Sequence, residues 1–548
     1  MKGKNPYLVR DLLLISLALG LLFFVFLGNR PLAAPDEGRY VEVPREMVAT
    51  GDYLTPHLNG LKYFEKPPLL YWVQTIPIHL FGIQEWAMRL PVAFLALFGC
   101  LLTYFFTQHL YDRRTGLFAT GILGTSLLYN VLGRLLTLDM GVSVFLTGTL
   151  FSFLAATEEP APKKRRLWMI GAACFAACSM LSKGLIGIAV PGMIIFCWFL
   201  LTNQWRILPT LFLPSAIGVF LLVAAPWHIL VSLKNPGFFD FYFIHEHFER
   251  YLTTVHRRHQ PLWFFIPVVL LGLFPWTSLL FKSLFQRYSK KPRELFFFLW
   301  FLVPFIFFSI SHSKLIPYIL PVFPALAVLM ARRIGEGASF KAEILTHSLF
   351  SMVLGVAVMV VIGDVDPDLK MILKTHLVAL SGVLGGSAIL VPILFWKYGG
   401  TIKAFGGILI TGIVVVFIVI MAAPLVPRLS IKPLANIFLD KMPKDTDVFT
   451  YITYYQDLPP YLGRTVTVVE WQGELAFGMN DDPAQTQIVT HEMFEQAWRT
   501  KPRVCVFTRQ NRYENLATYS WFTHTVLGRH DGQVLACRND FEQIRHQD

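Results

Sequence analysis

The fold is decided by residues 11–40, which read DLLLISLALGLLFFVFLGNRPLAAPDEGRY. Residues 11–28 form an apolar run that is long enough to cross the hydrocarbon core of a bilayer as a helix. The run is too long for the core of a signal peptide, and no small-residue cleavage site follows it. We therefore expect a retained first membrane span that leads directly into Asp36, Glu37 and Arg39 at the membrane surface.

The rest of the chain has the same apolar character. Of its 548 residues, 54% are apolar and only 15% are charged, whereas a soluble protein has about a quarter charged residues. The sequence therefore predicts a mainly α-helical polytopic membrane protein. About thirteen apolar runs have the length of membrane spans, and they lie near residues 11–29, 90–109, 116–132, 140–157, 167–181, 185–202, 207–231, 262–282, 294–310, 315–331, 345–363, 376–396 and 404–423.

Basic loops indicate the orientation of these spans. Counting spans from a cytoplasmic N-terminus places the basic segments YDRRTG, EEPAPKKRRL, KSLFQRYSKKPR and RRIGEGASFK on the cytoplasmic side, as the positive-inside rule requires. We attribute the net charge of +12 to such loops and to attraction by anionic membrane lipids, not to nucleic-acid binding. The outward connections are then residues 30–89, 133–139, 182–184, 232–261, 311–314 and 364–375.

The chain changes character after about residue 424, where short strand-like runs replace the long apolar ones. These runs are DVFTYITYY, TVTVVEW, RVCVFTR and QVLACRN, and HEMFEQAWRT is typical of a helix between them. We predict a transmembrane domain over 1–424, with outer loops 30–89 and 232–261, and a small α/β domain outside the membrane over 425–548. Cys505 and Cys537 either pair there, in an oxidising compartment, or remain two buried thiols.

Several polar residues at span ends fall on the same outer side in this topology. They are Asp36, Glu37, Glu65, Lys66, Asp139, Lys183, Lys314, the histidines and arginine of HEHFER (245–250), and the basic residues of HRRH (256–259). Lysine and arginine on the outer side run against the positive-inside trend. Their coincidence with acidic residues therefore predicts one site that holds an anion at the outer surface.

Each of these residues also has a simpler interpretation. Asp36, Glu37 and Asp139 would serve as loop or helix-capping carboxylates, and Lys183 and Lys314 would extend to the membrane interface. An isolated H-x-H is weak evidence for a metal, and the basic run HRRH is explained equally well by solvent or lipid headgroups.

A sugar linked to a polyprenyl phosphate fits such a site. Its tail would lie among apolar side chains, and basic residues would stabilise the phosphate as it leaves. A carboxylate opposite would orient or deprotonate the acceptor, or stabilise an oxocarbenium-like transition state. No glycine pattern for nucleotide binding is present, so we expect no nucleotide cofactor.

At these positions the sequence resembles the lipid-linked-sugar glycosyltransferases of GT-C fold. The resemblance lies in the segments APDEGRYVEVPREM, GDYLTPHLNGLKYFEKPPLLYW, LLTLDM, MLSKGL, HEHFERY, HRRHQPLWFFIPVVLLGLFPW and SHSKLIPYILPVFPALAVLMA. Within that group the sequence is most similar to the bacterial aminoarabinose transferases of lipid A modification, and the protein O-mannosyltransferases are larger relatives. The similarity covers nearly the whole membrane part.

The resemblance implies roles for individual residues. Asp36 and Asp139 would be catalytic, with Asp36 as the leading candidate, and Glu65 with His247 would hold one divalent metal ion, Zn or Mg. The residues that would bind substrate are Glu37, Arg39, Tyr40, Lys66, Lys183, Arg250, Arg257, Lys314 and Tyr318. Pro44 departs from the helix expected after Asp36, so this helix should start later or bend there.

The expected activity is transfer of an aminosugar, 4-amino-4-deoxy-L-arabinose, from undecaprenyl phosphate to lipid A. This reaction would occur on the periplasmic face of the inner membrane and would confer resistance to cationic antimicrobial peptides such as polymyxin. Three alternatives stay open. One is an enzyme of the O-mannosyltransferase type with a protein or other glycolipid acceptor, and another is a transporter of lipid-linked sugars. The third is a non-enzymatic lipid-binding or envelope-assembly protein, which would hold the anion without needing the carboxylates.

Overall fold

The computed structural model describes residues 6–249, 260–285, 291–336, 340–364, 367–398, 400–425, 430–481 and 486–538. The side chains of residues 247–249, 361–364 and 367–370 lie outside this description. The chain divides into two compact units. Unit 1 contains residues 1–27 and 89–426, and unit 2 contains residues 28–88 and 427–548.

Unit 1 is entirely helical in its described residues. Its helices are Leu8–Phe24, Glu85–Leu110 (which begins in unit 2), Arg113–Thr125, Leu127–Leu132, Asp139–Glu158, Pro162–Lys183, Ile186–Thr202, Leu208–Leu211, Pro214–Lys234, Phe265–Gly272, Thr277–Leu284, Pro292–Ile310, Phe323–Gly335, Lys341–Asp364, Pro367–Trp396 and Thr401–Ala422. Short 3-10 turns occur at Trp205–Ile207, Leu262–Phe264 and Ile316–Val322, and residues Asp240–Glu249 form a π-helix.

Eight segments of the described chain are long and apolar enough to cross a membrane, by length and composition. They are Glu85–Leu110, Asp139–Glu158, Pro214–Lys234, Pro292–Ile310, Ile316–Gly335, Lys341–Val360, Met371–Trp396 and Thr401–Ala422. The predicted count of about thirteen is therefore not confirmed, although every predicted run contains helix. The difference arises where apolar runs are short or broken, as at Ser126 and around Pro275.

At the end of the first helix, a side chain from a later segment bonds the terminal carbonyl groups. The last carbonyl groups of a helix have no partner within it. Arg134 donates from Nη1 to the carbonyls of Leu22 and Phe23, at 2.8 and 2.9 Å, and from Nη2 to that of Val25 at 2.5 Å. One buried guanidinium thus caps the helix Leu8–Phe24 and fixes the loop that precedes Asp139.

Unit 2 contains a six-stranded mixed sheet. Its strands are β3 Asp447–Tyr451, β4 Thr467–Val469, β5 Ile488–Val489, β6 Val504–Arg509, β7 His524–His530 and β8 Gln533–Arg538. They lie side by side in the order β5-β4-β3-β6-β8-β7. Strands β5, β4, β3 and β6 run parallel, whereas β8 is antiparallel to both β6 and β7. This α/β region confirms the fold class predicted for the end of the chain, including the helix His491–Thr500.

The helices of unit 2 are Asp36–Thr50, Leu69–Phe81, Lys432–Lys441, Leu458–Leu462, Ala476–Asp481, His491–Thr500 and Gln510–Leu516, with a 3-10 turn at Gly473–Leu475. A hairpin of β1 His57–Leu58 and β2 Leu61–Lys62 lies between the first two helices. The sheet core on one face includes Phe449, Val469, Phe494, Trp498 and Val506. Cys505 and Cys537, which face each other on β6 and β8, form a disulfide.

Residues 28–88 group with the sheet, which differs from their predicted place in the membrane domain. A Cβ on Gly38 would lie 2.5 Å from the backbone nitrogen of Asp457, so only glycine permits this approach. Asn59 both accepts from and donates to the backbone of Val466, each time at 2.9 Å. Hydrogen bonds and backbone contact with residues 456–466, far away in sequence, therefore fix this loop.

Candidate active site

Asp36 is the first residue of the helix Asp36–Thr50, and its carboxylate is half exposed. The helix continues through Pro44, so it does not start later, as the sequence had left open. Pro44 has no N–H to bond one turn back, and its ring crowds the carbonyl there, but the helix is not interrupted. Among the described residues, Asp36 forms an ion pair with Arg39, one turn along the same helix, at 3.5 Å. A half-exposed carboxylate with a loosely held partner is accessible to a substrate.

The neighbouring Glu37 has a different environment. It is fully buried, accepts two hydrogen bonds from Arg30 at 2.5 and 2.9 Å, and accepts the backbone N–H of Ala33 at 2.8 Å. A bidentate arginine–carboxylate pair is both strong and directional. Glu37 therefore holds the loop that leads into the helix, a structural role that differs from its predicted contact with substrate.

Arg39 lies between two carboxylates. Its Nε is 2.6 Å from Oε2 of Glu474, and it also pairs with Asp36. Oε1 of Glu474 accepts a hydrogen bond from the side chain of Gln456 at 2.7 Å. Burial raises the pKa of Glu474, Arg39 opposes this shift, and the charges of Glu65 and Asp36 add to it. Arg39 is thus held by a residue of the C-terminal part of the chain.

Two tyrosines near Arg39, namely Tyr63 and Tyr71, have buried hydroxyl groups without a hydrogen-bond partner in the part of the chain that the structure describes. Tyr40 packs its ring 6.2 Å from that of Tyr71 and lies 5.8 Å from the Arg39 guanidinium. Buried hydroxyl groups are normally bonded. The two hydroxyl groups are therefore polar atoms whose hydrogen-bonding capacity the described side chains do not use.

Glu65 and Lys66 follow directly on the hairpin. Both are partly buried, and Nζ of Lys66 donates to the carbonyl of Glu65 at 2.6 Å. The charge of Glu65 acts on both Arg39 and Glu474. The structure thus places Asp36, Arg39, Tyr40 and Glu65 in one charged cluster of unit 2, with Lys66 next in sequence.

A second cluster lies in unit 1. Asp139 begins the helix Asp139–Glu158, and its carboxylate accepts a short hydrogen bond from Lys183, the last residue of the helix Pro162–Lys183. Nζ of Lys183 also lies 4.5 Å from the ring centre of Tyr318, which is a cation–π contact. Asp139, Lys183 and Tyr318, which the sequence singled out separately, are therefore in direct contact.

Lys314 is buried in the connection between Pro292–Ile310 and Ile316–Val322. Its ammonium group donates to the carbonyls of Gln260 and Ser311, at 2.8 and 2.6 Å, and burial lowers its pKa. It does not extend freely to the interface, because two carbonyls already hold it.

Three predicted residues lie outside the description. They are Arg250, Arg257 and the side chain of His247. Within the described residues, no group of three His, Cys, Asp or Glu side chains is placed to hold a metal ion. The metal site of Glu65 and His247 stays a prediction.

Glu474 and Gln456 were missed by the sequence analysis. Glu474 stands alone in WQGELAFG, a segment without any charge pattern. Only the approach of the chain at Gly38 to residues 456–457 brings this part of the chain to Arg39. The nearest available signal was the glycine of PDEGRY, which has no reason to be glycine in an isolated helix.

Two family models match the chain. Residues 65–230 match the model described as dolichyl-phosphate-mannose-protein mannosyltransferase. Residues 434–538 match the aminoarabinose transferase C-terminal domain. The matches fall on the membrane part and on the α/β sheet, in that order along the chain.

Curated relatives are named as aminoarabinose transferases. The chain is 36% identical over 351 residues to an undecaprenyl phosphate-alpha-4-amino-4-deoxy-L-arabinose arabinosyl transferase of Aeromonas hydrophila. That alignment covers 61% of this chain and 63% of the relative, which is less than two thirds of its length. An enzyme of the same name from Sodalis glossinidius is 27% identical over 501 residues, which cover 88% of this chain and 90% of the relative.

Solved structures extend the likeness to the whole fold. ArnT from Cupriavidus metallidurans, in a crystal structure bound to undecaprenyl phosphate, is 28% identical with a TM-score of 0.87, over 96% of this chain and 98% of that one. Its apo structure is 27% identical with a TM-score of 0.86, over 97% of this chain and 98% of that one. The resemblance stated from the sequence is confirmed.

Proposed function

We propose that this chain, whose fold resembles that of an aminoarabinose transferase over nearly its whole length, transfers 4-amino-4-deoxy-L-arabinose from undecaprenyl phosphate to a phosphate of lipid A. The observation that carries the proposal is the C-terminal match over residues 434–538. It supports the aminoarabinose transferases in particular, whereas the match over 65–230 is to the mannosyltransferases.

In this reaction an oxygen of the acceptor phosphate attacks the anomeric carbon of the sugar. The bond from that carbon to the donor oxygen breaks, and undecaprenyl phosphate leaves with the electron pair. We expect inversion at the anomeric carbon, because a single displacement by the acceptor phosphate inverts that centre. The acceptor is already an anion, so the enzyme does not have to remove a proton from it.

Asp36 would then act as an anion of fixed position. Its half exposure and its distance of 3.5 Å from Arg39 leave it available to the sugar, whose amine carries positive charge. A preorganised charge near the reacting carbon stabilises the oxocarbenium-like transition state. Asp36 is therefore the group on which we expect the rate to depend most strongly.

The cations would act on phosphate. Lys66 lies one residue from Glu65 in the charged cluster of unit 2, and we assign it to the donor phosphate. Lys183 is already paired with Asp139 and stacked on Tyr318, so we assign this trio to holding the local structure into which substrate fits. Lys314, which two carbonyls hold, would present a fixed positive charge.

The setting would be the bacterial inner membrane. The chain is a multi-pass membrane protein, and the basic loops support a cytoplasmic N-terminus. The active site and the α/β domain would then be periplasmic, where the disulfide between Cys505 and Cys537 would persist. A divalent ion at Glu65 and His247 remains part of the proposal, and no step is derived from it.

A second candidate is transfer to a protein hydroxyl. The match of residues 65–230 to the protein mannosyltransferases favours it. A hydroxyl acceptor must lose a proton, so Asp36 would have to be a real base in that case.

The test is mass spectrometry of lipid A. A strain that makes the lipid-linked aminosugar is compared with and without this chain. We expect lipid A to gain one aminosugar per modified phosphate only when the chain is present. Unchanged lipid A, together with a sugar on protein, would contradict the proposal and favour the second candidate.

A further inference from the structure

We propose that Glu474 is a positioning residue for sugar transfer. It holds the guanidinium of Arg39 and so limits how strongly Arg39 attracts the carboxylate of Asp36. The inference rests on the proposed function, because it assumes that Asp36 acts in transfer. It gives the α/β domain a direct part in the chemistry.

The distances show which carboxylate Arg39 favours. Nε of Arg39 is 2.6 Å from Glu474, whereas its Nη1 is 3.5 Å from Asp36. The side chains of Arg39 and Glu474 are 11% and 10% exposed, and that of Asp36 is 52% exposed. Coulomb attraction grows as distance and effective dielectric fall. Glu474 is therefore the dominant partner, and Asp36 keeps its negative charge for the substrate.

Glu474 is fixed before any substrate binds. Gln456 donates a hydrogen bond to its Oε1 at 2.7 Å. Its Oε2 is in ion-pair contact with Nε of Arg39, although that nitrogen makes no hydrogen bond among the described residues. The adjoining helix Ala476–Asp481 packs against the hairpin, where a Cβ on Gly478 would lie 2.7 Å from the carbonyl oxygen of Lys62. These contacts preorganise the carboxylate, as an electrostatic role requires.

The surrounding charges give the direction of the expected effect. Asp36 and Glu65 act electrostatically on Glu474, while Tyr40, Tyr63 and Glu65 act on Arg39. One cation is thus shared among three carboxylates. If Glu474 becomes neutral, Arg39 is left to Asp36 and Glu65. The guanidinium then attracts the carboxylate of Asp36 more strongly, and Asp36 becomes less available to the substrate. Sugar transfer should then slow while binding of the donor stays unchanged.

The experiment compares full-length variants in detergent with undecaprenyl-phosphate-linked aminoarabinose and lipid A. Glu474→Gln should lower kcat about tenfold, with donor KM unchanged. The matched control is Glu495→Gln, because Glu495 pairs with Arg499 at 2.7 Å on the exposed face of the same domain. This control should keep the wild-type rate.

A double-mutant cycle tests whether Glu474 acts through Arg39. In an Arg39→Gln background, Glu474→Gln should cost nothing further. Additive losses would overturn the inference. If Glu474→Gln fails to fold, Glu474→Asp takes its place, and a wild-type rate in the variant that folds would also overturn it.

Failure of the proposed function would give a different experimental result from failure of the inference about Glu474. An Asp36→Asn variant with wild-type transfer would remove Asp36 from the mechanism and the inference with it. An inactive Asp36→Asn variant beside a normal Glu474→Gln variant would refute the role of Glu474 alone.

Discussion

Asp36 and Asp139 are both the first residue of a helix and both have a basic partner, yet their surroundings differ. Asp139 accepts directly from Lys183, and the two side chains are 15% and 18% exposed. Asp36 shares Arg39 with Glu474 and is 52% exposed. The same sequence signal, an acidic residue where a helix begins, thus produces one neutralised carboxylate and one whose charge remains available.

The strongest test of this difference is Asp36→Asn. We expect transfer to fall about a thousandfold, because the amide keeps the shape and removes the charge. Asp139→Asn should cost only about tenfold, since its charge is already neutralised by Lys183. Transfer assays on purified variants of equal melting temperature measure both. Equal losses would mean that the two carboxylates act as one catalytic pair.

A second test addresses how the Asp36 helix is held. Gly38→Ala places a Cβ 2.5 Å from the backbone of Asp457, which should destabilise the protein by about 3 kcal/mol. Gly218→Ala is the matched control, because it also lies within a helix and no atom lies within 4 Å of its Cβ. Thermal unfolding in detergent compares them. A Gly38→Ala variant as stable as the control would show that the helix is not fixed by residues 456–457.

A third test uses Asp457, on whose backbone Gly38 rests. Burial raises the pKa of Asp457 to about 6 from 3.8, while hydrogen bonds from Ile431 and Ser430 oppose the shift. The folded state binds the proton more tightly, so this contribution is fully present below pH 3.8 and is lost as pH rises through about 6. The loss should reach about 3 kcal/mol.

The measurement is the melting temperature between pH 4 and 7. Asp457→Asn should flatten the fall seen in the wild-type protein. Asp445→Asn, at an exposed carboxylate paired with Arg503, should leave the pH dependence as it is. A wild-type slope in Asp457→Asn would contradict the assignment.

The smallest effect is expected at the second cluster. A cycle of Asp139→Asn and Lys183→Met should give a coupling free energy of about 1 kcal/mol, because the pair is largely but not fully removed from water. Unfolding midpoints of the four proteins provide it. A coupling free energy near zero would mean that Lys183 does not neutralise Asp139. The charge of Asp139 would then be as available as that of Asp36.

The sequence predicted the helical class, the C-terminal α/β region and the helix His491–Thr500, because hydrophobic period and length are local signals. It also identified Asp139, Lys183 and Tyr318, which the structure brings together.

The sequence did not reveal Glu474 or the burial of Glu37. Both depend on pairings between distant segments, and no local pattern encodes them. The broken runs at Ser126 and Pro275 reduced the span count for a related reason, since hydropathy does not register where a helix is interrupted.

The composition of unit 2 has a consequence for biosynthesis. Its two parts are separated by residues 89–426, roughly 340 residues, which a ribosome takes about 20–70 s to translate. During that interval Gly38, Asn59 and Arg39 have been made, and residues 456–474 have not. Until the last fifth of the polypeptide is made, the helix Asp36–Thr50 lacks its contacts with residues 456–474. A truncated product ending before residue 430 should therefore insert in the membrane and still expose an unsupported loop to proteolysis.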